Sequence, residues 1–216
     1  MNFRKFTWDV IDSNSFLIQE NNDGILIDAV ESDELYTTIS QLQYLTIILT
    51  HSHFDHIIGL NKIRELKPNS KVISTKLCSE HVGNIHKNMS AVAQVFMSFY
   101  ENGKKKDIYV APVVCKPSDE IFENEMNFSW HNHKINIFAV FGHSNDGLVA
   151  VIDDKYLFSG DTLLNIPTVT RFPGGNTKLF FENDIPKLKN MSVEKVFPGH
   201  GEAGNLIDML LINKKG

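Results

Sequence analysis

Hydrophobic positions along this chain come in short runs separated by polar clusters. Ser15-Phe16-Leu17-Ile18-Gln19 and Gly24-Ile25-Leu26-Ile27-Asp28 flank Asn21-Asn22-Asp23-Gly24. Two apolar runs joined by an Asn/Asp/Gly cluster predict a β-hairpin. Over 33–43, Leu35, Ile39 and Leu42 share one helical face. Tyr44-Leu45-Thr46-Ile47-Ile48-Leu49-Thr50 is continuous, apolar and β-branched, which predicts a strand buried on both faces. Ile57 to Leu66 suits a helix stopped by Pro68, and Lys71-Val72-Ile73-Ser74 returns to strand. Strand, helix and strand alternate, the pattern of an α/β fold.

Residues 79–102 interrupt this rhythm. Ala91, Val92, Val95, Phe96 and Phe99 form one apolar helical stripe. The expectation is a helix packed on the core; the alternative is a helical, cap-like insert over a substrate pocket. Lys104-Lys105-Lys106 reads as a solvated turn. Beyond it, runs at 128–130 and 135–140 flank His131-Asn132-His133-Lys134, and runs at 148–152 and 156–159 flank Asp153-Asp154. Both predict hairpins. A helix over 183–190 and a strand over 193–197 complete the pattern. No linker stands out, so 1–216 reads as a single domain.

Composition narrows the class. The chain has 216 residues, 42% hydrophobic and 22% charged, with a net charge of −5. These are the values of a folded globular protein, not of a disordered or fibrous chain. No apolar run reaches the ~18 residues of a membrane span. The N-terminal segment has no apolar h-region, so no secretory signal is expected and the compartment is read as cytoplasmic. Cys78 and Cys115 are too few for a disulfide scaffold and read as buried, reduced thiols. The mild acidity and the lack of a basic patch count against nucleic-acid binding. The expected partner is a small-molecule substrate; the sequence is silent on oligomeric state.

Candidate chemistry concentrates at His51-Ser52-His53-Phe54-Asp55-His56, directly after the buried strand. Four ligand-type side chains in six residues are costly to satisfy by hydrogen bonding alone. Imidazole and carboxylate suit zinc, iron and manganese, and no cysteine takes part. Three more ligand-type residues sit just past apolar strands: His143 after Gly142, Asp161 after Gly160 and His200 after Pro198-Gly199. In α/β sheets that strand edge is where sites assemble. The set holds five histidines and two aspartates, enough for two divalent ions, with zinc expected first and iron or manganese as alternatives. His81, His86, His131 and His133 read as surface histidines.

In this order, His51-x-His53-x-Asp55-His56, Gly142-His143, Gly160-Asp161 and Pro198-Gly199-His200 resemble the metallo-β-lactamase superfamily, from about residue 10 to 205. The resemblance implies an αβ/βα four-layer sandwich. It implies that His51, His53 and His143 bind one metal, that Asp55, His56 and His200 bind the second, and that Asp161 bridges both. Asp28 matches a supporting aspartate of the family or is a turn residue. Gly160-Asp161-Thr162-Leu163 and Arg171-Phe172-Pro173-Gly174-Gly175-Asn176 resemble single-domain relatives of glyoxalase II, although Thr170 stands where the family has Gly.

The implied function is a metallo-hydrolase of a small ester or thioester, acting through a bridging, metal-bound hydroxide. Asp161 and Asp55 take the catalytic roles, and Asp55 orients the nucleophile or takes its proton. Arg171 binds an anionic substrate group or pairs with a structural carboxylate. Sixteen residues follow His200, too few for the C-terminal helical domain with which hydroxyacylglutathione hydrolase holds glutathione, so the resemblance does not extend to glutathione as the substrate and the substrate's identity stays open. The alternatives are a mononuclear iron oxygenase like the persulfide dioxygenases of the same superfamily, and a phosphodiesterase.

Overall fold

The structure is a computed structural model that describes residues 1–99 and 109–214. The Lys104–Lys106 turn and residues 100–102 of the expected insert lie outside the described residues. The chain divides into two compact units, residues 1–73 with 78–120, and residues 74–77 with 121–216.

The first sheet runs in the order β1-β2-β3-β4-β5-β6. Its strands are β1 (Asn2–Trp8), β2 (Ser13–Glu20), β3 (Asp23–Ile27), β4 (Tyr44–Ile48), β5 (Lys71–Thr75) and β6 (Glu120–Phe122). β1, β2 and β3 form an antiparallel meander, whereas β3, β4 and β5 are parallel. Asn21 turns the expected hairpin with a φ of 54°, a left-handed conformation that Asn tolerates. Ile25, Leu26, Ile47, Ile48 and Leu49 are fully buried, so β4 is covered on both faces as its composition requires. β3 and β4 pair in register up to Ile27 and Ile48. The residues that follow each strand therefore leave the sheet at one edge, Asp28 beside the start of the His51–His56 segment.

Helices follow α1 (Asp33–Ser40), α2 (Phe54–Ile57), α3 (Leu60–Leu66), α4 (Lys76–His81) and α5 (Ala93–Phe99). Ser32 caps α1 by accepting from the Leu35 amide. The helix expected from Ile57 begins earlier, at Phe54, and breaks at Gly59. A Cβ there would lie 2.3 Å from the Val30 carbonyl oxygen, so close backbone packing selects glycine. At Ala91, Val92 and Val95 the apolar stripe does not pack as expected. Met89 adopts a φ of 65° and opens a 3₁₀ turn over Ser90–Val92 before α5. That change of helical phase buries Ala93 and leaves Val92 and Val95 exposed.

The second sheet runs β11-β10-β9-β8-β7. Its strands are β7 (Glu125–Trp130), β8 (His133–Val140), β9 (Gly147–Ile152), β10 (Tyr156–Gly160) and β11 (Lys195–Pro198). β8 and β10 are both antiparallel to β9, and β11 is parallel to β10. The carboxyl ends of β8, β10 and β11 thus share one sheet edge. A helical stretch contains α6 (Thr177–Leu179), a π-turn over Phe180–Asp184 and α7 (Ile185–Lys189); α8 (Leu206–Ile212) closes the description. Phe180, Ile185, Leu188, Leu206 and Met209 pack with Val140, Val149, Leu157 and Val196 into the core of this unit.

Candidate metal centre

In the first unit, β4 delivers the chain to His51, and α2 carries Asp55 and His56. His51, His53, Asp55 and His56 are all buried. One ligand atom of His51 lies within 4.8 Å of one on His53 and of one on His56, and Asp55 and His56 stand in the same relation. The His51 ring centroid is 4.5 Å from that of His53 and 4.3 Å from that of His56. α2 is held in place by Ala29 N–H donating to the His56 carbonyl at 2.8 Å, Ser13 Oγ donating to the Asp55 carbonyl at 3.1 Å, and Phe54 N–H donating to the Asn88 carbonyl at 2.8 Å.

Asp28 organises this cluster. Its backbone has a φ of 58°, which turns the carboxylate back toward Thr50 and His56. Oδ1 accepts from Thr50 N–H at 2.7 Å, and Oδ2 accepts from Thr50 Oγ1 at 2.7 Å and from His56 Nδ1 at 2.9 Å. Thr50 Oγ1 donates its one O–H hydrogen bond to Asp28, so toward His51 Nδ1, at 3.1 Å, it is the acceptor. One carboxylate therefore fixes both imidazoles as Nδ1–H tautomers and leaves the ligand lone pair on Nε2 of each. Burial pushes the Asp28 carboxyl above its ordinary value, and the His56 and Thr50 contacts act against that rise.

In the second unit, the three strand ends bring His143, Asp161 and His200 together. Gly160 pairs with Pro198 across the parallel strands, and Gly199 N–H donates to the Gly160 carbonyl at 2.8 Å. Asp161 Oδ2 then lies 3.5 Å from His143 Nε2 and 3.4 Å from His200 Nε2. His143 Nδ1 donates to the Val169 carbonyl at 2.7 Å, which again places the lone pair on Nε2. The His143 ring meets the Phe172 ring edge-on at 5.7 Å. The turn before His143 rests on Asp184, whose carboxylate accepts from Gly142 N–H at 2.7 Å and from Phe141 N–H at 3.2 Å. Burial pushes the Asp184 carboxyl up to about 6, against the lowering effect of those amides and of Lys187.

Arg171 is exposed in the loop after Val169 and has no ion pair among the described residues. Among the remaining histidines, His133 Nδ1 lies 2.6 Å from Asp153 Oδ2 at its hairpin, and His86 is exposed. Thr50, Val169 and Asp184 escape sequence reasoning. Val169 acts through its backbone carbonyl, and Asp184 reads as an ordinary residue near the Pro186 helix start.

The donor set fits a metal ion. It offers imidazole nitrogens, three of them Nε2 atoms of rings whose Nδ1 meets an oxygen, and carboxylates; His51, His53, Asp55, His56, His143 and Asp161 are buried and His200 is half-buried. The family model described as metallo-beta-lactamase superfamily matches residues 8–200. The chain belongs to the metallo-β-lactamase superfamily. The metallo-β-lactamase fold expected from the sequence is the fold of the chain. A probable metallo-hydrolase of Streptococcus pyogenes serotype M6 is 24% identical over 87% of this chain and 78% of its own length. A hydroxyacylglutathione hydrolase of Francisella tularensis subsp. holarctica is 29% identical over 69% of this chain, and the match spans 47% of that enzyme. Among solved structures, the BLEG-1 B3 metallo-β-lactamase superposes with a TM-score of 0.78 at 22% identity, covering 96% of this chain and 95% of that one. TTHA1623 in a di-iron-bound form superposes with a TM-score of 0.70 at 22% identity, covering 97% of this chain and 98% of that one. Members of the metallo-β-lactamase superfamily bind metal ions and are mostly hydrolases, and this chain carries their ligand types. Among the described residues no helix is long and apolar enough to cross a membrane.

Proposed function

We propose that this metallo-β-lactamase-superfamily protein hydrolyses a small ester or thioester with two divalent cations, zinc first. His51, His53 and His143 would hold one ion, Asp55, His56 and His200 the other, and Asp161 both. The observation that carries the reading is that His51, His56 and His143 each set Nδ1 against an oxygen, which assigns the ring proton to Nδ1 and the lone pair to Nε2. Three imidazoles preset in this way supply neutral nitrogen ligands without a tautomer change on binding.

When bound, the ion pair supplies a Lewis acid for a carbonyl oxygen and water acidified to near neutrality. The chain's own contribution is positional. Asp28 keeps the protons on His56 Nδ1 and, through Thr50, on His51 Nδ1. Asp55 stands beside His56, with Oδ2 at 3.3 Å from Nε2, where a carboxylate orients an attacking water or takes its proton. Arg171, exposed and free of any carboxylate partner among the described residues, anchors an anionic group of the substrate. The likeness to a hydroxyacylglutathione hydrolase supports a thioester, and S-acyl glutathiones belong in the first substrate panel.

The test is metal analysis of protein purified without added metal, followed by a panel of esters and thioesters. Two zinc ions per chain and thioester hydrolysis abolished in His53→Ala are expected. One iron per chain, or a His53→Ala protein as active as the wild type, would overturn the reading.

A further inference from the structure

The turn before His143 rests on Asp184, a residue that neither the sequence motifs nor the family match assigns. We propose that Asp184 is a positioning residue for His143: by accepting from the Phe141 and Gly142 amides it sets the backbone from which the imidazole is presented. The inference rests on the proposed reading only in taking His143 as a metal ligand.

Four observations converge on this turn. Asp184 is 1% exposed, and both carboxylate oxygens are engaged, Oδ2 at 2.7 Å from Gly142 N and both at 3.2 Å from Phe141 N. Hydrogen bonds to a charged acceptor are about twice as strong as neutral ones. The approach leaves no room for a side chain at Gly142, where a Cβ would lie 2.5 Å from Phe180 Cβ and 2.6 Å from Asp184 Oδ2. Asp184 ends the π-turn over Phe180–Asp184; such turns change the phase of a helix and recur at functional sites. Finally, the same turn is gripped from its other side. Gly142 O accepts from Asn176 N–H at 2.7 Å, and a Cβ on Gly175 would lie 2.8 Å from the His143 carbonyl oxygen. The backbone of 141–143 is thus held by Asp184 and Asn176, and the ring by Nδ1 on the Val169 carbonyl.

Asp184→Asn keeps the volume but replaces one acceptor oxygen with an NH₂ facing an amide N–H. The expected result is weaker metal binding at His143, by roughly 10-fold or more as for other groups that support a metal ligand. The measurements are zinc titration of the metal-free protein and the visible absorption of the cobalt-substituted protein, which reports ligand geometry directly. Leu188→Ala is the control: Leu188 is fully buried in α7, so this variant loosens the same helix without touching the turn. It is expected to melt lower yet keep the wild-type cobalt spectrum.

A wild-type protein that fails to bind metal overturns the proposed function itself. A wild type that binds, with Asp184→Asn matching it in affinity and spectrum, overturns the role of Asp184. So does Leu188→Ala shifting the spectrum as much as Asp184→Asn. Should Asp184→Asn not fold, Asp184→Glu keeps both oxygens but displaces the turn by one methylene. An unchanged spectrum and affinity there count against the proposal in the same way.

Discussion

The two groups of ligand-type residues, one in each unit, are built on opposite plans. In the first unit, four ligand-type residues occupy one stretch of six, and a single carboxylate, Asp28, holds the tautomers of two of them. In the second unit, three ligands come from the ends of three strands. Their supports are not shared by all three: His143 is held by the Val169 carbonyl and the Asp184-braced turn, Asp161 and His200 by parallel strand register. The first plan concentrates risk in one residue. The second distributes it, so that losing one support leaves at least one of the three ligands in place.

The sharpest test of this contrast is Asp28→Asn. Asn tolerates the left-handed backbone at this position, so the substitution spares the backbone and acts through the lost carboxylate charge and the changed hydrogen bonding. The new NH₂ opposes the His56 Nδ1 proton or the Thr50 donors, and relieving that conflict moves a proton onto a ligand nitrogen. The concentrated plan predicts loss of affinity for both ions, each by roughly 10- to 100-fold, read by zinc titration. Leaving a buried donor unsatisfied also costs about 1–3 kcal/mol, read by urea unfolding of the metal-free protein. Loss of one ion alone would break the comparison.

The same contrast explains what the sequence shows of this fold. His51–His56 is legible because its ligands are adjacent and follow an apolar run too uniform to be anything but a buried strand. His143, Asp161 and His200 are legible as ligand-type residues past strands, but their mutual approach depends on strand order and direction, which no local pattern states. Their supports are hidden altogether. Val169 contributes a main-chain oxygen, and Asp184 reaches a turn more than forty residues away. β1 escapes because Arg4 and Lys5 occupy an exposed edge strand, so its apolar alternation is weak. α8 escapes because Ile207 and Leu211 face outward, at 71% and 58% exposure, and blur its periodicity. Its one clear signal is Asn205, which caps it by accepting from Asp208 N–H at 2.8 Å.

A smaller effect is expected from Asn213→Ala, which tests the distributed plan. Asn213 is buried; its Nδ2 donates to the Leu164 carbonyl at 2.8 Å and the Ile166 carbonyl at 3.3 Å, and its Oδ1 accepts from Thr168 N–H at 2.7 Å. It pins the loop between Asp161 and the Val169 carbonyl. Its removal is expected to cost about 2 kcal/mol and to raise amide exchange at Thr168. Zinc affinity should fall less than in Asp28→Asn. An equal fall would mean that the second half is as concentrated as the first.

Asp184 adds a pH dependence that belongs to the second unit. Its carboxyl is held near 6 in the folded chain against an ordinary 3.8, so between those values the folded state keeps a proton that the unfolded state has released. Stability therefore falls as pH rises through this window, by at most about 1.4 kcal/mol per pH unit, and levels off above it. Asp184→Asn removes the dependence. The difference in unfolding free energy between wild type and variant should decline from pH 4 to pH 6 and then stay flat; a difference independent of pH counts against this assignment.

The smallest expected signal comes from the thiols, and both lie in the first unit. Cys78 and Cys115 are buried and unbridged. Burial pushes the Cys115 thiol up to about 11, and its Sγ lies 3.8 Å from the Ile57 carbonyl at the end of α2. Only the thiolate reacts with a disulfide reagent, so the folded protein should label slowly at pH 8 and release two equivalents when unfolded in urea. Labelling of the native protein then reports how often the first unit opens. If that unit carries the concentrated half of the metal centre, zinc should slow the reaction markedly in the wild type and far less in Asp28→Asn. Zinc protection of equal size in both proteins would show that the rigidity of the first unit does not pass through Asp28.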